Sequence, residues 1–127
     1  MRIAIVGSRN ITVENIGQYL PDSVCEIVSG GAKGVDACAA EYAVSHKIAL
    51  KEFLPEYEKY GRAAPVVRNK KIVDYADEAI AFWDGVSKGT LSVIRYCEKI
   101  GKKCMVVIMD KNKLSFVKMS KSKTVFV

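Results

Sequence analysis

The sequence predicts an α/β domain built on a mainly parallel five-stranded sheet with helices on both faces. Three observations carry this reading. Short apolar runs alternate with segments whose apolar residues recur at helical spacing. Several of the runs are apolar nearly throughout, as strands covered on both faces must be. Small, glycine-bearing turns follow the runs where a strand would hand over to a helix. The 127 residues suit one domain, and half of them are hydrophobic, enough to fill one core. One domain over residues 1–127 is therefore expected, with a basic C-terminal extension over 111–127.

The elements follow in order. Arg2–Val6 is a mostly apolar run ending at Gly7 and reads as the first strand. Thr12 can cap a helix over Val13–Leu20, which Pro21 stops. Val24–Ser29 reads as the second strand. From Val35 to His46 the residues Val35, Cys38, Ala39, Tyr42 and Ala43 repeat with helical period. Ile48–Leu54 is the third strand, ended by Pro55. Residues 56–64 show no clear period. Pro65 suits the first turn of a helix that runs to Tyr75, with Ile72 and Ala76 on its buried side. Glu78–Trp83 is the fourth strand. A helix then runs to Ile100, striped by Leu91, Ile94, Cys97 and Ile100, with Gly101 as its cap. Lys103–Met109 is the fifth strand. Leu114–Val117 and Thr124–Val127 are short enough for a hairpin or edge strands.

Composition excludes several classes. No stretch of about 18 apolar residues exists, so no membrane span is expected. The apolar run at the amino terminus is too short for a signal peptide, which suggests a cytoplasmic protein. Cys25, Cys38, Cys97 and Cys104 form no C-x-x-C pair, and His46 is the single histidine, so no metal site is expected. The cysteines read as buried small hydrophobes, Cys25 and Cys104 in strands and Cys38 and Cys97 on helix faces. The net charge of +6 is uneven. Lys111, Lys113, Lys118, Lys121 and Lys123 lie in the tail without an acid. Residues 1–110 hold 15 basic and 14 acidic groups. The tail reads as solubilising or edge-protecting lysines, with nucleic-acid contact the less favoured alternative.

Three strand-to-helix loops hold small and polar residues. They are Gly7-Ser8-Arg9, the run Ser29-Gly30-Gly31-Ala32-Lys33-Gly34-Val35-Asp36, and the run from Trp83 through Asp84, Gly85, Val86, Ser87, Lys88, Gly89 and Thr90. A phosphate can rest on backbone N–H groups only where no Cβ intervenes, and the start of a following helix adds free donors. Ser8, Ser87 and Thr90 can add hydroxyl bonds. Neither the dinucleotide G-x-G-x-x-G fingerprint nor a Walker A loop is present. Arg9 and Arg68 are the candidate phosphate partners, since a guanidinium grips two oxygens at once. Arg68-Asn69 falls in a helix, where a solvated face is the plain alternative. Asp36 reads as a ribose acceptor or loop organiser, or simply as an acid at a helix start. Trp83 can stack on a base or pack beneath its loop. Asp84 can hold a ribose or a water.

Together these motifs resemble the SLOG superfamily of Rossmann-like domains. The resemblance rests on Val6–Arg9, Ser29–Asp36, Arg68-Asn69, Ala76-Asp77 and Ala81–Thr90, and spans residues 1–109. Within the superfamily the chain is similar to the small DUF2493 group, related to YspA and YpsA. The resemblance implies a nucleotide or nucleotide derivative at the three loops, with Gly7, Ser8, Arg9, Ser29, Gly30, Gly31, Ala32, Gly34, Asp36, Arg68, Asn69, Trp83, Asp84, Gly85, Ser87, Gly89 and Thr90 as the ligand-binding set. No cofactor is required, and a homo-oligomer, dimer or larger, is expected. Two relatives imply other activities. The phosphoribohydrolases that activate cytokinins carry P-G-G-x-G-T-x-x-E; here the last position is Val93, which cannot move a proton. Asp36 and Asp84 are then the candidate catalytic acids for N-glycosidic hydrolysis. DNA-processing protein A shares the Ser29–Asp36 pattern and the Arg68-Asn69 pair, which implies single-stranded nucleic-acid binding.

Overall fold

The computed structural model describes residues 1–110, 113–119 and 124–126. Seven strands form one sheet: β1 (Arg2–Gly7), β2 (Glu26–Ser29), β3 (Ala49–Glu52), β4 (Glu78–Trp83), β5 (Cys104–Asp110), β6 (Lys113–Met119) and β7 (Thr124–Phe126). Their spatial order is β3-β2-β1-β4-β5-β6-β7. The first five are parallel, as expected of strands joined by crossovers. Strands β6 and β7 return antiparallel, so the C-terminal hairpin extends the β5 edge. The helices are α1 (Val35–Ser45), the single turn α2 (Tyr57–Tyr60), α3 (Ala64–Tyr75) and α4 (Lys88–Ile100). None is long and apolar enough to cross a membrane.

Period-two alternation along β1 separates two cores. Ile3 and Ile5 point to one face, where Val35, Ala39 and Ala43 of α1 cover them with Ile11, Val13 and Ile16. Ala4 and Val6 point to the other, against Ile72 and Val73 of α3 and Val93, Ile94 and Cys97 of α4. The small alanines at positions 4, 79 and 81 let the α3–α4 layer approach the sheet closely. At the amino ends of the strands, Arg2 N–H donates to Asp77 Oδ2 at 2.7 Å and Asp77 N–H donates to Arg2 O at 2.8 Å. Asp77 of the Ala76-Asp77 motif is thus a clamp at the end of the sheet remote from the loops.

Three expectations change. The helix over Val13–Leu20 is only a 3₁₀ turn, Ile16–Tyr19. Asn15 takes a left-handed conformation (φ 54°) at its start, and the β-branched Ile11, Val13 and Ile16 are buried individually instead of along a helical stripe. Residues 56–64, read as irregular, hold α2 and a second 3₁₀ turn, Gly61–Ala63. Cys25 is exposed and precedes β2, so it is not a core residue; Cys38 is half-buried, while Cys97 and Cys104 are buried. Of the tail lysines, Lys111, Lys121 and Lys123 lie outside the described residues.

Candidate functional site

From β1 the sheet grows to one side through β2 and to the other through β4. The loops leaving the carboxyl ends of β1 and β4 therefore part, and a crevice opens between them. A cavity of about 460 Å³ lies there. The β1 loop contributes Gly7, Arg9 and Asn10, the β2 loop Gly30, Ala32 and Asp36, and the β4 loop Asp84, Ser87, Gly89 and Thr90. Helix α3 supplies Pro65, Arg68 and Asn69, and Val6, Ile72 and Val93 provide the apolar lining.

Ser8 ties the loops together from below. Its N–H donates to Phe82 O at 3.1 Å, and its hydroxyl accepts the Asp84 N–H at 3.3 Å. Its carbonyl accepts from Ile11 N–H at 3.3 Å and from Val35 N–H at 3.5 Å. With 1 % exposure it belongs to the foundation of the cavity, not to its wall. Such close crossing forbids side chains on either side. A Cβ on Gly7 would lie 2.6 Å from Phe82 O. One on Gly34 would lie 2.5 Å from Arg9 O, at a residue whose φ is already +69°.

Asp36 and Arg68 shape the β2 loop. Asp36 Oδ2 accepts the Ala32 N–H at 3.1 Å. Arg68 Nη1 donates to Gly30 O at 2.7 Å and to Phe53 O at 3.5 Å, and its Nε donates to Asn69 Oδ1 at 2.8 Å. Burial pushes the Asp36 carboxyl above its ordinary range, while the Ala32 N–H, the Arg68 charge and the Gly30 N–H pull the other way. Burial pulls the Arg68 guanidinium down, with Asp36 opposing and Arg9 adding like-charge repulsion. Arg68 is therefore no solvated helix face: it reaches across from α3 to hold the loop.

The β4 loop is set by Asp84, whose Oδ1 accepts the Val86 N–H at 2.9 Å and the Ser87 N–H at 2.7 Å. Partial burial raises the Asp84 carboxyl, but the Val86 and Ser87 N–H groups, the Ser8 hydroxyl and the Asn10 amide outweigh it and hold the group below its usual range. Trp83 Nε1 donates to Ser87 O at 3.0 Å and the ring packs on the α3–α4 core. It supports its loop from beneath. The α4 ladder begins with Leu91 N–H donating to Ser87 O at 3.2 Å, so the N–H groups of Lys88, Gly89 and Thr90 lie ahead of it.

Replacing Asp84 by alanine should cost about 1 kcal/mol, as loss of the acceptor for two partly exposed loop N–H groups does. Because the folded carboxyl titrates lower than the unfolded one, its contribution is complete above the unfolded value of about 3.9 and disappears as pH falls through the folded value. Urea titrations of both proteins across that range measure the difference. An Asp84→Ala deficit that persists unchanged in acid contradicts the assignment.

Of the residues expected at the site, Gly7, Arg9, Gly30, Ala32, Asp36, Arg68, Asn69, Asp84, Ser87, Gly89 and Thr90 line the cavity. Ser8 and Ser29 are buried beneath it, the Ser29 hydroxyl accepting the Gly31 N–H at 3.4 Å. Gly31, Gly34, Trp83 and Gly85 shape the loops without lining it. Asn10 joins the wall unexpectedly. It directly follows Arg9, and only the folded arrangement brings its amide to Asp84.

Residues 1–54 match the family model of DNA recombination-mediator protein A. No curated protein and no solved structure gives a significant match. The matched stretch carries the first two loops and ends at β3, while α3, the β4 loop and α4 lie beyond it. It supports a relationship of the SLOG type for the half of the cavity built on β1 and β2.

Chemically, the cavity joins cationic Arg9 and Arg68 to the amino end of a 13-residue helix. Its two carboxylates, Asp36 and Asp84, are both engaged by loop N–H groups. Val93 is 2 % exposed and closes part of the apolar lining. No cluster of metal-ligating side chains occurs among the described residues.

Proposed function

We propose that the cavity binds the phosphate of a nucleotide or nucleotide derivative, as a small binding or sensing domain of the SLOG type. The observation that carries this reading is Gly89. It lines the cavity in the first turn of α4, and a Cβ there would meet no protein atom within 4 Å. The fold does not need a glycine at that point, whereas a phosphate resting on the Gly89 and Thr90 N–H groups does. Arg9 lines the same cavity, is exposed, and has no hydrogen-bond or ion-pair partner among the described residues. On this reading Arg9 supplies a charge that the loops do not hold, and Arg68, bound to Gly30 O and Asn69 Oδ1, supplies the fixed one. On the same reading the Asn69 amide and the Asp84 carboxylate, which line the same cavity, would hydrogen-bond the sugar.

Thermal shift with AMP, ADP-ribose and ATP tests the reading. A ligand at a hundredfold its Kd adds about 2.7 kcal/mol of stability. Gly89→Ala should leave the fold intact or stabilise it by about 0.5 kcal/mol through helix propensity, yet weaken the ligand at least tenfold. Arg9→Ala should leave stability within about 0.5 kcal/mol and weaken binding similarly. Unchanged affinity in both variants, or no stabilisation by any nucleotide, would overturn the proposal.

A second reading follows from the family match, which covers the first two loops. The phosphate received there would belong to single-stranded nucleic acid. Anisotropy of labelled oligonucleotides at two salt concentrations separates the readings, because phosphate-driven strand binding weakens steeply with salt.

A further inference from the structure

A second concavity, of about 570 Å³, runs along the outer surface where α3 and α4 lie side by side. Its chemistry differs from that of the cavity. The α4 positions that reach it are Lys88, Leu91, Ser92, Arg95, Tyr96 and Lys99, which form one stripe because residues three and four apart share a helix face. Val66, Leu91 and the Tyr96 ring supply apolar surface, and Val66 is 47 % exposed. Lys70, Lys88, Arg95 and Lys99 supply four positive charges, and no carboxylate lines the groove. The acid beside it, Asp74, already accepts the Tyr96 hydroxyl at 2.7 Å.

The four cations have no ion pair or side-chain hydrogen bond among the described residues; Lys70 makes only a ring contact with Tyr96, at 5.8 Å. Residues 1–110 are nearly neutral, with 15 basic and 14 acidic groups, so this concentration is local. Like charges four apart on a helix, as Arg95 and Lys99 are, cost a few tenths of a kcal/mol. Asp74 and Glu98 lie four and three residues after Lys70 and Arg95 but form no ion pair with them among the described residues, so the groove keeps a positive surface to which an acidic partner is complementary.

We infer that this groove docks a short acidic segment of a partner protein that carries apolar side chains between its carboxylates. Charge complementarity gives the sign of the partner, and the apolar surface gives the rest. A hydrophobic centre with a charged rim is the anatomy of a protein interface. A single nucleic-acid strand needs free aromatic faces for its bases. The one aromatic ring here, Tyr96, faces Lys70 and is fixed through its hydroxyl. From Lys88 to Lys99 the stripe spans about 16 Å, the length of about five extended residues.

The probe is a fluorescein-labelled peptide of about ten residues alternating glutamate with leucine, followed by anisotropy on the full chain. Three comparisons accompany it: an all-glutamate peptide, a lysine–leucine peptide and oligothymidylate. The alternating acidic peptide should bind at least tenfold more tightly than each of them. The double variant Arg95→Glu/Lys99→Glu should weaken it at least tenfold. Both side chains are exposed, and an unchanged melting temperature verifies the fold. No saturable binding, equal binding by the all-glutamate peptide, tighter binding of oligothymidylate, or an unaffected double variant would each overturn the inference.

Discussion

Gly34→Ala is expected to destabilise the protein by about 2–5 kcal/mol, a large part of the roughly 5–15 kcal/mol that holds a domain together. Two costs add. The residue sits at φ +69°, where an L side chain is strained by about 1–2 kcal/mol. The new Cβ would also lie 2.5 Å from Arg9 O and 2.7 Å from Ser8 O, and crowding of this kind costs about 1–3 kcal/mol. Ser8 O cannot yield cheaply, because it already accepts from the Ile11 and Val35 N–H groups. Urea denaturation should show a lower midpoint with an unchanged slope. A loss below about 0.5 kcal/mol would mean that the β1 and β2 loops are not locked together as described.

Asp36→Ala is expected to cost about 3 kcal/mol. The Ala32 and Gly30 N–H groups lose their acceptor, at about 1–3 kcal/mol for a buried donor left alone, and Arg68 loses its counter-charge. Asp36→Asn keeps one acceptor oxygen and should cost less than half as much at neutral pH. The pH dependence fixes the role. Burial raises the folded Asp36 carboxyl above its unfolded value, so the stability linked to its protonation is fully present below about pH 3.9. That contribution is lost as pH rises through the folded value. The asparagine variant does not titrate at this position, so its deficit against the native protein should be greatest in acid and shrink toward neutrality. A deficit that grows toward neutral pH would reverse the assigned direction of the shift.

The strands and major helices were largely legible because burial imposes a period that local composition displays. Glu78–Trp83 is apolar after its first residue and Val35–Ser45 repeats at helical spacing, and both appear nearly as the pattern requires. Over Val13–Leu20 a capping threonine and a following proline describe a helix's ends, while the β-branched Val13 and Ile16 and the left-handed Asn15 decide what lies between. The α2 turn leaves no such trace, because four residues are too few to display a period.

At the site, local sequence determined which loops are short, small and rich in backbone donors, since glycine and a helix start act within a few residues of each other. Gly7, Gly30, Ser87, Gly89 and Thr90 are legible on that basis. What a given polar side chain does there is decided over long range. Ser8 and Ser29 were read as ligands or as part of the ligand loop but lie beneath the wall, because hydroxyls serve equally well as buried staples. By sequence Arg68 is a phosphate partner or a solvated helix face, and only its reach across 38 residues to Gly30 O shows that it holds the β2 loop. Composition and period along the chain suffice for an α/β domain with donor-rich loops at its strand ends. Tertiary structure alone decided that strand order reverses between β1 and β4, because pairing depends on contacts between runs that are not neighbours in sequence, and that reversal is what opens the cavity.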